Sequence, residues 1–330
     1  MSFTVGSLYA GVGGIDKGLT DAGFDVVWAN EVDRHACETY RLNHGGDTLI
    51  EDDVFNLDIP NLPKVDLLAA GFPCQPFSVA GYRLGFEDER GNHFQQIIKI
   101  AQAIRPKVLL LENVKNFRNH DKGRTYDISR KMIEELGYHA IDTILNTADY
   151  ANIPQNRERF FLVAFLDETH RHNFEFPKKE PLTTTIHDFI ETGEVAERFY
   201  YGKDSKIYKP LREAVTSSDT VYQWRRKYVR ENKSNMCPTL TANMGTGGHN
   251  VPIILTDEGI RKLTPRECFR FQGFPEIKFP DGMAVSHLYK QAGNSVTASL
   301  IERLGKKIKL ALSDDKSWLE KLEEFDSVAS

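Results

Sequence analysis

The chain has 330 residues, with 42 Lys and Arg against 47 Asp and Glu for a net charge of −5, and 40% of it is hydrophobic. That is enough apolar side chain to bury a core, and it excludes wholesale disorder. No apolar run approaches the about 20 residues that cross a bilayer, and with Lys17 as the first cation no basic leader is read, so a cytoplasmic protein without membrane contact is expected. The four cysteines, Cys37, Cys74, Cys237 and Cys268, lie far apart with no C-x-x-C pair, which argues against a disulfide framework or a zinc cluster and for no metal.

Short apolar or β-branched runs at 4–8, 25–29, 65–70, 108–111, 139–145 and 160–164 alternate with helical periodicity at 15–22, 33–42, 94–104 and 125–136. Such alternation predicts a doubly wound, Rossmann-like α/β sheet. From about 167 to 260 the pattern breaks into short polar, Gly- and Thr-containing pieces, expected to form a smaller irregular or β domain. Residues 201–250 carry a net charge of +5 against −10 for the rest, with Tyr222, Trp224 and Tyr228 among the cations. A basic block in an acidic chain suggests a surface facing a polyanion, although a solvated surface would look similar. Thr264-Pro265-Arg266-Glu267 is a helix start with capping box and Pro at the first turn, and 296–312 reads as an amphipathic helix. The expected domains are 1–170, 171–275, and a C-terminal segment 276–330 that packs back on the first.

In open α/β sheets ligands bind outside the carboxyl ends of the strands, so the residues after each run matter most. They are Tyr9-Ala10-Gly11-Val12-Gly13-Gly14, Asn30-Glu31, Gly71-Phe72-Pro73-Cys74-Gln75 and Glu112-Asn113-Val114. A glycine-rich turn lets backbone approach a ligand, and an acid at the end of the second strand can accept from both ribose hydroxyls; together they imply an adenosine-containing cofactor. The full G-x-G-x-x-G spacing and a Walker lysine are both missing, so NAD and ATP are weakly supported. Cys74, between Pro73 and Gln75 at a strand end, fits no apolar-periodic core position and is a candidate nucleophile.

With Gln155-Asn156-Arg157-Glu158-Arg159 and Gln291-Ala292-Gly293-Asn294-Ser295-Val296, these motifs stand in the order and spacing of the DNA (cytosine-5) methyltransferases of bacterial restriction–modification systems, which the chain resembles over nearly its whole length. The resemblance implies S-adenosyl-L-methionine as methyl donor and double-stranded DNA as substrate. It implies that Cys74 adds to cytosine C6, with Glu112 near N3 and the exocyclic amine and Arg159 and Arg157 at O2. The cofactor would meet Tyr9, Ala10, Gly11, Val12, Gly13 and Gly14. Glu31 would hold its ribose, Val32 and Val54 would flank its adenine, Asp53 would take the adenine amine, and Pro73, Asn294 and Val296 would complete the pocket.

The cytosine must leave the stack for this chemistry. Residues 77–91 are read as a mobile loop closing over DNA, with Arg83 or Arg90 on phosphate, and 171–275 as a target-recognition domain in which Arg225, Arg226, Thr239, Gly247 and Gly248 meet DNA. Tyr9 replaces the family's usual phenylalanine; His93 stands where a related enzyme type has an apolar residue and is left out of the site. A monomer protecting host DNA from a cognate endonuclease is expected. A transfer RNA cytosine-5 methyltransferase of the same fold and a catalytically silent DNA-binding regulator stay open as alternatives.

Overall fold

The structure is a computed structural model that describes residues 2–73, 93–232, 234–246 and 250–313. By density of contacts it divides into two units: Met1–Leu145 with Glu158–Lys178 and Ile301–Ser330, and Asn146–Arg157 with Lys179–Leu300. The boundaries differ from those expected on sequence, since 276–300 belong with the second unit.

The first unit is built on β1 (Thr4–Leu8), β2 (Asp25–Glu31), β3 (Leu49–Glu51), β4 (Leu67–Gly71), β5 (Val108–Val114), β6 (His139–Asn146) and, after the two-residue β7 (Gln155–Asn156), β8 (Glu158–Phe165). The seven-stranded sheet runs β3-β2-β1-β4-β5-β8-β6. β1 pairs in parallel with both β2 and β4, and β4 with β5, whereas β8 is antiparallel to β5. β1, β4 and β5 are almost wholly buried apolar runs, as expected of strands covered on both faces. The strand order reverses between β1 and β4, which puts a crevice at their carboxyl ends.

Helices α1 (Gly14–Asp21), α2 (Arg34–His44), α3 (His93–Ile104) and α4 (Arg124–Glu135) follow the 3.6-residue period read from sequence. α3 sends Phe94, Ile97, Ile98 and Ile104 into a core shared with Leu68, Leu109, Leu111 and Leu162. α2 starts at Asp33, whose carboxylate accepts from the His35 and Ala36 amides. From Ile301 the helix α7 (Ala298–Leu312) belongs with this unit, and Lys309 Nζ donates to the carbonyls of Ala22 and Gly23 that end α1.

The second unit contains a four-stranded sheet, β10-β9-β12-β13, from β9 (Tyr222–Arg225), β10 (Tyr228–Glu231), β12 (Ile253–Thr256) and β13 (Gly259–Lys262), with β11 (Cys237–Pro238) paired to β7. Here the sequence shows only short polar pieces. α5 (Pro265–Arg270) carries the expected capping box between Thr264 and Glu267. α6 (Val285–Asn294), unforeseen on sequence, precedes α7.

Glu267 also forms a bidentate ion pair with Arg261, at 2.6 and 2.8 Å, and both side chains are sealed from water. The Thr264 and Glu191 amides saturate the same carboxylate. Removing one partner of such a pair strands the other charge. Arg261→Ala is therefore expected to lower the unfolding free energy by about 3–5 kcal/mol; a chemical-denaturation loss below about 1 kcal/mol would mean that Glu267 is not sealed.

Candidate functional site

The turn after β1 crosses back sharply, with Tyr9 (φ 58°), Gly11 (φ 58°) and Gly13 (φ 84°) all left-handed. Gly13 has a second reason to lack a side chain: a Cβ there would lie 2.3 Å from His44 Nε2, and that nitrogen sits 3.1 Å from the Val12 carbonyl. Beneath the turn, burial raises the pKa of the Asp16 carboxyl, and the Tyr40 hydroxyl donates to it at 2.7 Å.

Glu31, the last residue of β2, ties this turn to the next. Its carboxylate accepts from the amides of Gly11 (2.7 Å), Val32 (2.9 Å) and Asp33 (2.7 Å), three of the roughly four acceptor positions a carboxylate has. Val32 beside it is 62% exposed. Asp53 caps a short 3₁₀ turn by accepting from the Phe55 amide at 3.1 Å. Sequence reading puts Val54 at the ligand, but Val54 is 3% exposed and belongs to the core. The turn capped by Asp53 points residue 54 inward and leaves the Phe55 ring outside, 38% exposed.

His93, omitted on sequence, stands against this group. Tyr9 Oη lies 3.1 Å from its Nδ1 and 3.3 Å from its carbonyl oxygen, and its ring meets those of Tyr9 and Phe55 at 5.4 and 5.2 Å. Burial pulls the imidazole pKa below its ordinary value, partly opposed by Asp53, and so favours the neutral ring at pH 7. The only hint in the sequence was the extra hydroxyl of Tyr9. The arrangement fits an adenosine: among the described residues nothing lies within 4 Å of where a Gly11 Cβ would be, a carboxylate waits at the strand end, and apolar Val32 and Phe55 are exposed.

At the carboxyl ends of β4 and β5, Glu112 and Arg159 form an ion pair with Nε to Oε1 at 3.1 Å, each side chain 14% exposed. The ladder explains the meeting, since Glu112 lies opposite Gly71 on one side and Phe161 on the other. A Cβ at Gly71 would stand in ordinary contact with Glu112 Oε2, at 3.5 Å. Burial lowers the Arg159 pKa and Glu112 opposes the shift. Glu158, the sequence neighbour that could have claimed Arg159, pairs with Lys115 at 2.8 Å instead. Pro73, exposed, is two residues past β4. Cys74, Arg83, Arg90, Gly247 and Gly248 lie outside the described residues, as does the whole of the expected 77–91 loop.

Arg157 is a correction. In the second unit its guanidinium, 1% exposed, donates to the carbonyls of Leu240 (2.7 Å), Gly293 (3.2 Å) and Ser295 (2.5 Å). A group buried on three carbonyls does not reach a base. It ties the Thr239-Leu240 segment to the end of α6, where Gly293 permits the approach, because a Cβ there would lie 2.1 Å from the Thr241 carbonyl carbon. Asn294 is exposed at the same helix end and Val296 is buried. Thr239 donates its hydroxyl to the Asn156 carbonyl at 2.6 Å, and Arg225 and Arg226 are exposed on and beside β9. A cavity of about 870 Å³ between them is lined by Arg225, Tyr228, Arg230, Thr239 and Asn243, among others. Among the described residues no cluster of His, Cys, Asp and Glu could hold a metal ion, and no helix is long and apolar enough to cross a membrane. Arg157→Ala strands buried carbonyls, and a loss of about 3 kcal/mol is expected in unfolding without DNA or cofactor; an unchanged midpoint would remove the tie.

Residues 3–310 match the family model of the C-5 cytosine-specific DNA methylases. The type II methyltransferase M.Bsp6I of Bacillus sp. (strain RFL6) is 53% identical over 92% of this chain and 98% of its own. M.HhaI of Haemophilus parahaemolyticus is 34% identical over 93% and 94%. Among solved structures, the S. pombe Dnmt2 methyltransferase superposes with a TM-score of 0.68 at 21% identity, covering 94% of this chain and 98% of that one, which supports the fold. The chain belongs to the C-5 cytosine-specific DNA methylases and is an S-adenosyl-L-methionine-dependent DNA (cytosine-5) methyltransferase.

Proposed function

We propose that the chain methylates cytosine within one short duplex sequence, working as a monomer to protect host DNA from a partner endonuclease, and that the first unit carries the chemistry while the second selects the sequence. The observation that carries the assignment of roles is the Glu112–Arg159 ion pair at the strand ends next to Pro73, the residue before Cys74. The type II naming of relatives that match along almost their full length supports the protective role.

Cytosine C5 is too electron-poor to attack a methyl group unaided. The Cys74 thiolate adds to C6 of the extruded base, forming the S–C6 bond and pushing the ring electrons toward C5 and N3. Glu112 shares a proton with N3 as negative charge develops there, and Arg159 fixes the carboxylate and offers guanidinium N–H groups to O2. S-adenosyl-L-methionine supplies an electrophilic methyl group when bound, and Tyr9, Gly11, Glu31, Val32, Asp53 and Phe55 are the described residues that would hold its adenosine. A base then removes the C5 proton, and the electrons of that bond expel the Cys74 sulfur from C6, which restores the aromatic ring and frees the enzyme.

Plasmid methylation by wild type and Cys74→Ser, read by bisulfite sequencing, tests this. Wild type should mark one sequence and the variant none, while the variant keeps its affinity for S-adenosyl-L-methionine; C5 methylation by the serine variant would overturn the thiol's role. A 5-fluorocytosine target, whose C5 fluorine cannot leave as a proton does, should trap wild type covalently. Glu31→Ala frees the Gly11 turn and removes the ribose acceptor, so the Kd for S-adenosyl-L-methionine is expected to rise at least about tenfold, a loss of about 1.4 kcal/mol. An unchanged constant by calorimetry would take Glu31 off the ribose.

A further inference from the structure

The small sheet of the second unit has two unlike faces. In the β9–β10 ladder, Tyr228 lies opposite Arg225 and Arg230 opposite Gln223. Residues directly opposite, or two apart along a strand, project from the same face, so these four share one. The opposite face is apolar apart from Glu231 across from Tyr222: Tyr222, Trp224 and Val229 pack with Leu211 and Ile253. The polar face opens on the 870 Å³ cavity described above, where Tyr228 is 60% exposed. Within it, Arg225 Nη2 donates to Gln223 Oε1 at 3.1 Å. The two-residue turn Arg226-Lys227 adds two further cations at the tip, with Arg226 at φ 56°.

We infer that this two-stranded ribbon, rather than Gly247 and Gly248 alone, reads the DNA, and that Arg225 held by Gln223 recognises a guanine near the target cytosine. The inference rests on the chain's membership of the DNA methyltransferases and deepens it. A major groove about 12 Å wide admits a two-stranded ribbon. Guanine presents O6 and N7 there as a pair of acceptors, which the forked guanidinium matches with two parallel donors. The Gln223 carbonyl takes one of the five N–H groups of Arg225 and so orients the others before DNA arrives, which reduces the ordering that binding requires. Arg226 and Lys227 are exposed in the turn beyond the paired strands, a position that suits phosphate rather than a base.

The test is to compare wild type, Arg225→Ala, Gln223→Ala and Arg226→Ala on a library of duplexes varied around the target, scoring methylation by bisulfite sequencing and binding as a function of salt. Wild type should require a guanine besides the one paired with the methylated cytosine. Arg225→Ala should relax that position alone, lowering discrimination roughly 10- to 100-fold, and Gln223→Ala should relax the same position by less. Arg226→Ala should instead weaken binding evenly across sequences and reduce the salt slope by about one. Retained methylation by Arg225→Ala with unchanged discrimination overturns the inference and leaves the enzymatic assignment intact. Uniform loss of affinity by that variant at unchanged thermal stability also overturns it, by making Arg225 a phosphate contact. Absence of C5 methylation by wild type would overturn the assignment itself.

Discussion

The second unit depends on a cation that never reaches water. Arg157 is sealed, and its guanidinium is satisfied there because three carbonyls from two separate segments accept hydrogen bonds from it. The two segments are the strand-like piece leading through Thr239 and Leu240 and the end of α6 that carries Gly293, Asn294 and Ser295. Gln155 reinforces the joint, with its side chain donating to the Phe271 carbonyl and accepting from the Leu240 amide. The motif Gln155-Asn156-Arg157 is thereby an internal fastener. Only two residues on, Arg159 belongs to the sheet of the other unit and faces Glu112.

The first unit repeats the principle with the opposite charge. Glu31 gathers three backbone amides and so fixes the glycine turn, the end of β2 and the start of α2 about one carboxylate. The acid expected to hold a ribose is also the group that shapes the turn around it. An acceptor so heavily engaged is held in one orientation, so little conformational freedom remains to be lost when a ligand arrives.

Much of this was legible beforehand. β1 matches its predicted bounds, and the Thr264 capping box is where the spacing puts it. Strand ends are less visible: the apolar run stops at Leu111, but pairing of Val114 with Arg159 carries the β5 ladder three residues further. β3 is three residues long and paired on one side, too short for alternation to register. Val54 and Phe55 are interchangeable in a hydrophobic pattern, and only the turn capped by Asp53 decides which is buried. Arg157 is expected at the base's O2, and its internal role is hidden in sequence because the converging carbonyls come from residues 83 to 138 positions away. The smaller unit is expected to be irregular or β, but the strands β9, β10, β12 and β13 are not placed in sequence because each has four residues, and the apolar face of their sheet is filled partly from the helix at Tyr208–Ala214.

The position of β10 has a further consequence. Among the described residues it is an outer strand of its sheet, paired with β9 alone, and an outer strand offers unpaired amides and carbonyls to any neighbouring chain. Arg226, Lys227, Arg230 and Glu231 crowd that border, and like-charged copies repel one another there. Changes of sequence preference that trade these side chains for neutral ones would strip the charge that keeps this edge from pairing with another strand, so drift at this border is constrained twice, once by the nucleic acid and once by the crowd of identical molecules around it.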